Sequence, residues 1–190
     1  MEQSGEYRVQ AGLDQVWQGL NDPEILARCI DGCLTMEKTS EDRFETTVKA
    51  RIGPVSATFQ AVLELTEVVA PTRYTINASV KGGAAGFARG TAQVRLSEDP
   101  DRSGATMLRY AVKANVGGKL AQVGSRLIDG AARKMANDFF AAFGEEISGE
   151  VPVATGANAP EVERFEASGQ WKIWLIVFAA LAIGMILALS

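Results

Sequence analysis

The chain has 190 residues, 19 lysines and arginines against 23 aspartates and glutamates, no histidine, and a net charge of −4. This mildly acidic balance, with no run of basic residues, excludes a nucleic-acid binder of the usual electrostatic kind. The missing histidine removes the commonest general base, the commonest metal ligand and every Ser-His or Cys-His nucleophile.

A short extended start at Glu6 to Ala11 leads into "LDQVWQGLNDPEILARCI", where Val16, Trp17 and Leu20 have helical spacing. Asn21-Asp22-Pro23 then breaks and restarts the chain, with Asp22 placed to cap a second helix and Pro23 at that helix's first position. The two cysteines, Cys29 and Cys33, both fall in "CIDGC". A C-x3-C spacing with no histidine or third cysteine is a poor metal or redox motif, so two free buried thiols are expected. Runs of alternating character follow at 34–39, 43–52, 55–68, 73–82, 85–97 and 105–116, each bounded by a turn. They predict an antiparallel meander with no helix between strands. "GGAAGFARG" joins two of these runs and opens no helix, so it reads as a two-residue Gly82-Gly83 hairpin and not as a phosphate loop. Its functional alternative is a flexible rim with Phe87 exposed.

One long helix is expected from Lys119 to Ile147. Lys119, Gln122, Arg126, Asp129, Arg133 and Asn137 run along its polar side, and Leu120, Val123, Leu127, Ile128, Met135, Phe139 and Phe143 occupy the rest. Near its end, Glu145-Glu146 reads as a solvated face, because helical neighbours point about 100° apart. The fold class is α+β: a strand, two short helices, a curved antiparallel sheet and a long helix across its concave face.

The strand alternation sorts into two faces. Glu45, Lys49, Arg51, Gln60, Glu64, Arg73, Lys81, Arg89, Arg95, Arg109 and Lys113 face water. Phe44, Val48, Ala50, Ile52, Ala57, Phe59, Ala61, Leu63, Tyr74, Ile76, Ala78, Val80, Ala88, Gly90, Ala92, Val94, Leu108, Tyr110, Val112 and Ala114 face inward, and eight of those twenty are Ala or Gly. The helix repeats this economy with Ala121, Gly124, Gly130, Ala131 and Ala132. So little bulk implies either very close packing or an unfilled apolar volume, since native cores reach crystal-like density. The volume is the expectation where a curved sheet and a long helix diverge. Its candidate lining is Ala57, Phe59, Ala61, Tyr74, Ile76, Ala78, Phe87, Ala88, Ala92, Tyr110, Val112, Ala121, Gly124, Ile128 and Met135. With no charge inside, the ligand should be apolar, and Tyr74 and Tyr110 are the hydroxyls on hand for a carbonyl or hydroxyl head.

Three segments are expected: a domain at 1–147, a linker at 148–170 and an anchor at 171–190. "SGEVPVATGANAPEVERFEASGQ" is rich in Pro, Gly and Glu and poor in large apolar residues. From Ile173 to Ser190 there is no Asp, Glu, Lys or Arg. As a helix this run rises about 27 Å, close to the ~30 Å hydrocarbon core of a bilayer. A single membrane-spanning helix is expected, with Trp171 and Trp174 at the headgroups. Arg164 and Lys172 on its N-terminal side put the body on the cytoplasmic side of the membrane. Within the span Ala180, Gly184 and Ala188 form a small-residue stripe. The N-terminus, "MEQSGEYRVQ", does not read as a secretory signal.

The order of elements, with "VWQGLNDPEILARCIDGC" early and "GGKLAQVGSRLIDGAARKMANDFFAAF" late, resembles the START-like (SRPBCC) helix-grip superfamily. More narrowly it is similar to the family of the carbon monoxide dehydrogenase G subunit, over roughly residues 1–147. Members often read C-I-P-G-C where this chain has Asp31 in place of the proline. The resemblance implies a non-catalytic accessory protein that recruits a molybdenum-containing CO dehydrogenase to the inner face of the cytoplasmic membrane. The superfamily implies a cavity for lipids, sterols, quinones or polyketides. Together with the tail, this leads to the expectation of a bound respiratory quinone, menaquinone or ubiquinone, with no covalent cofactor and no metal. The alternatives are a pure docking anchor without ligand, a START-like lipid-binding protein, or a cyclase- or hydrolase-like enzyme. The enzyme needs an inward acid or base, and the inner positions supply none.

Overall fold

The computed structural model describes residues 1–149 and 153–154. The chain opens with strand β1 (Glu2–Val9), helix α1 (Leu13–Leu20) and helix α2 (Pro23–Cys29). The meander follows as β2 (Cys33–Ser40), β3 (Arg43–Ile52), β4 (Val55–Val69), β5 (Arg73–Lys81), β6 (Phe87–Glu98) and β7 (Thr106–Gly117). A short α3 (Lys119–Gln122), a long α4 (Ser125–Ser148) and a two-residue β8 (Val153–Ala154) complete the described elements. The sheet order is β2-β3-β4-β5-β6-β7-β1-β8, and each neighbouring pair is antiparallel.

Local chemistry accounts for these elements. The Asp22 side chain accepts from the backbone amides of Glu24 and Ile25 at 2.8 and 3.3 Å, so the second helix starts where the Asp-Pro pair places it. The strands alternate as read: all eleven residues expected to face water are exposed, and of the twenty expected inward only Ala57 and Gly90 are less than fully buried.

Three expectations are corrected. The helix expected from Lys119 to Ile147 is two helices, because Gly124 adopts φ +96°, a conformation that ends α3 and precedes α4. The Gly82-Gly83 hairpin is a longer connection with a 3-10 turn over Gly83–Ala85, closed by the Gly82 amide donating to the Gly86 carbonyl at 2.8 Å. In the segment expected to be linker, Val153 and Ala154 pair with Arg8 and Tyr7 and add an edge to the sheet. The expected anchor lies outside the described residues. Among those described, no helix is long and apolar enough to cross a membrane.

The sheet curls, and α4 closes the curl. Between Cα atoms, α4 comes within 8 Å of α1, α2, β1 and β3, while over β4 to β7 it stands further off except for isolated pairs. β1 and β3 are separated by four strands in the sheet order. At about 4.8 Å per strand they would lie about 24 Å apart in a flat sheet, a span that α4, about 36 Å long, could cross. It would then come as close to the strands between them, and its sparser approach to these means that they bow away from it.

Candidate ligand-binding interior

Register places the smallest inward residues in one row. Ala78 lies opposite Gly90 and Gly90 opposite Ala114, across β5, β6 and β7. The row on one side is Ile76, Ala92 and Val112; the row on the other is Val80, Ala88 and Val116. A further row down, Tyr74, Val94 and Tyr110 bring in large rings.

The helix matches this gradient. α4 starts just after β7 ends at Gly117, and its Phe140 stacks on Tyr110 with ring centroids 5.8 Å apart. From Ser125 to Phe140 a helix rises about 22 Å, and from Gly117 back to Tyr110 a strand covers about 23 Å, so the two run alongside. Ala131, Ala132 and Met135, all buried, therefore lie at the level of the small-residue rows. Small side chains therefore lie on both the helix and the strands at this level, all of them within one buried core cluster.

Below that level the space is closed by aromatic packing. Tyr7 and Phe140 stack with centroids 4.1 Å apart, Phe139 meets Phe140 edge-on at 5.1 Å, and Trp17 meets Tyr74 edge-on at 5.3 Å. Burial pushes the Tyr74 phenol well above its ordinary pKa, so it stays a neutral hydroxyl. Tyr110 is also raised by burial, moderated by the hydrogen bond it accepts from Gln3 Nε2 at 3.4 Å. Its ring lies against Gly5, where a Cβ would come within 2.6 Å of it, which commits Tyr110 to the β1 side. The Trp17 indole N–H is buried without a hydrogen-bond partner. Sequence reasoning placed Trp17 on a helix and missed this donor; nothing in local spacing reports whether a buried indole finds an acceptor.

The expected lining residues divide accordingly. Phe59, Ala61, Tyr74, Ile76, Ala78, Ala88, Ala92, Tyr110, Val112, Ile128 and Met135 are buried. Ala57 is half-buried, Phe87 is exposed with its ring against Gly117, and Ala121 and Gly124 are exposed. These last two leave the interior list; α3 buries Leu120 instead. Leu127, expected on the apolar side, is 47% exposed and shares that end of the fold with Phe87. Gly90 has a second reason to be small: a Cβ there would meet the Lys113 carbonyl oxygen at 2.6 Å.

Among the described residues, the buried polar or charged ones are Thr46, Asp99 and Thr106. Asp99 is taken up by an ion pair with Arg8, and Thr106 donates to the Ala11 carbonyl at 2.8 Å. The interior thus offers no free acid or base among the described residues. The cysteines are free thiols, Cys29 buried and Cys33 half-buried, and burial, ahead of nearby Glu146, pushes Cys29 up to about 12. Such a thiol is inert at neutral pH. Among the described residues no group of three or more Cys, Asp or Glu could hold a metal ion. Depressions of about 510 and 500 Å³ have mostly polar and charged walls, and one of about 320 Å³ mixes Val68, Val69 and Val94 with Arg73 and Arg95; none of the three is lined by α4.

A curled antiparallel sheet closed by one long helix over small residues is a START-like helix-grip fold. A START superfamily protein from Mycobacterium smegmatis has this fold, with a TM-score of 0.59 and 11% identity over 78% of this chain and 97% of that one. TTHA0849 from Thermus thermophilus is similar at a TM-score of 0.59 and 11% identity, over 78% and 98%. A conserved protein from Geobacillus kaustophilus is similar at a TM-score of 0.72 and 31% identity, over 78% and 96%. The family model for CoxG, the G subunit of carbon monoxide dehydrogenase, matches residues 5–148, and the chain belongs to that family. No curated protein matches at a significant level.

Proposed function

We propose that this protein is a membrane-tethered carrier. It holds an apolar ligand, a respiratory quinone such as menaquinone or ubiquinone, between α4 and the bowed strands, and it brings a molybdenum CO dehydrogenase to the cytoplasmic membrane. The observation that carries the reading is the register row of Ala78, Gly90 and Ala114, with Ala131 and Ala132 buried on an α4 that comes close to few residues of β4 to β7. Family membership supports the accessory role and the dehydrogenase as partner. The apolar run Ile173 to Ser190 supports the tether, with the folded domain on the cytoplasmic side.

A quinone suits this interior chemically. Its ring and isoprenoid chain bury apolar area, worth about 25 cal/mol per Å² removed from water. Its carbonyls accept hydrogen bonds, and the aromatic end supplies a donor in the Trp17 indole. The protein needs no catalytic group for this; it supplies shape, dryness and one or two polar contacts.

The test is extraction of the full chain from its own membranes in detergent, followed by mass spectrometry of whatever it retains. The carrier retains a quinone, and Ala78→Phe loses it. Wild-type protein that carries neither quinone nor lipid, and takes up none when offered, would leave only an anchor.

A further inference from the structure

We infer that the outer face of β5, β6 and β7 is a docking surface for an acidic face of another protein. Its outward positions carry Arg73, Lys81, Arg89, Arg95, Arg109 and Lys113, all exposed, and the one exposed acid on these strands, Glu98, is the last residue of β6. In a chain of net charge −4 this is a strong local asymmetry.

The register sharpens it. Arg73 is opposite Arg95 and Arg95 is opposite Arg109, so three guanidiniums stand in one row across three strands, at about 4.8 Å per step. Like charges directly opposite each other in a sheet are destabilising. The row meets a counter-charge only at its end, where Glu6 on β1 pairs with Arg109. Further along the same two strands, Glu2 pairs with Lys113 at 3.2 Å. Arg73, Lys81, Arg89 and Arg95 have no ion-pair partner among the described residues. Acids are not in short supply: Glu64 sits on neighbouring β4, yet its carboxylate goes to Arg43 at 2.8 Å.

The cations flank recesses. One of about 320 Å³ is bordered by Arg73, Arg95, Gln93 and Thr75, with the Glu67 carboxylate on its wall accepting from the Thr75 hydroxyl at 2.6 Å. Another of about 510 Å³ lies between Arg89, Lys113, Thr91 and Asn115, with Glu2 at its edge. Amide and hydroxyl groups beside arginine forks suit carboxylates, which take paired hydrogen bonds.

Protein and not bilayer is the partner for two reasons. The face is the convex side of the curl, whereas a membrane surface is flat. Its exposed large apolar side chains are few, Phe87 at its far edge and Val69 beside the Arg73 recess, too few to enter a headgroup layer. Arginine, which forms four of the six cations, is favoured at protein interfaces where lysine is depleted. This surface is on the opposite side of the sheet from the interior, so the inference does not depend on what the interior holds.

The test uses the full chain in nanodiscs of neutral phosphatidylcholine, with poly-L-glutamate as probe at low ionic strength. Arg73→Gln with Arg95→Gln lowers affinity about tenfold or more, while Arg126→Gln with Arg133→Gln on α4, an equal change of charge, leaves it within about twofold. Arg95→Gln alone raises the Tm by about 1–3 °C, because it relieves the like-charge row. Undiminished binding by the first variant, equal loss in the control, or a lower Tm for Arg95→Gln would overturn the proposal. So would a loss seen only against phosphatidylglycerol vesicles, which would make the face a lipid-headgroup surface.

Discussion

Tyr7 stacks on Phe140 with ring centroids 4.1 Å apart, and its hydroxyl donates to Oδ1 of Asn137 one turn earlier on the same helix. The first strand is thereby tied to the last helix, at the end of the interior where bulk is greatest. Phe140→Ala should cost about 3–5 kcal/mol, as expected for a fully buried ring, and Tyr7→Phe about 0.5–1.5 kcal/mol from the lost hydrogen bond. Urea unfolding of both variants checks the order; a smaller cost at Phe140 would mean that the helix is held elsewhere.

Filling the interior separates a hollow from a packed core. Ala78 is 6% exposed and sits in the small-residue row, whereas Ala121 is exposed on α3. If the space beside Ala78 is free, Ala78→Phe is accommodated with little change in Tm and ligand retention is lost. In a tightly packed core the same change costs about 1–3 kcal/mol. Ala121→Phe should alter neither property, and thermal melting with lipid extraction reads both.

Trp17 is the donor without a partner, and leaving a buried donor unmade costs about 1–3 kcal/mol. A bound carbonyl that accepts from it recovers that energy. In a chain carrying Trp171→Phe and Trp174→Phe, Trp17 is the only tryptophan, so added quinone should quench its fluorescence. Trp17→Phe should weaken quinone binding by about three- to tenfold. Quenching without any loss in the Trp17→Phe variant would place the ring near the ligand but remove its hydrogen bond from the account.

Asp99 gives the fold a pH dependence of defined sign. Burial pushes its carboxyl up, but the Asp101 amide at 2.9 Å and the Arg8 guanidinium outweigh this and hold it below the usual value of 3.8. A depressed folded pKa contributes stability above the unfolded value and loses it as pH falls through the folded one. Wild-type Tm should therefore fall as pH drops below 3.8. Asp99→Asn should melt lower than wild type at neutral pH and show a shallower acid decline. Parallel curves for the two proteins would exclude Asp99 as a source of the slope.

Most of what repeats locally was legible in the residues. Period-two alternation marked the strands and both faces of the sheet, and Asp22 with Pro23 marked the start of α2, because side-chain direction and capping depend on neighbours within a few positions. The break at Gly124 was misread, since a glycine inside an amphipathic pattern is compatible with a helix until its φ is known.

Register and curvature belong to the tertiary structure alone. The sequence contains no basic run, because Arg73, Arg95 and Arg109 are far apart along the chain, yet strand pairing aligns them into a row. In the same way Ala78, Gly90 and Ala114 become one trough only when three strands are laid side by side. Composition and periodicity depend on nearest neighbours and so determined the kind of elements and the face each residue takes. Which residues from distant strands share a row, and how far the helix stands from them, is decided by long-range pairing, where a shift of one residue would turn every side chain to the other face.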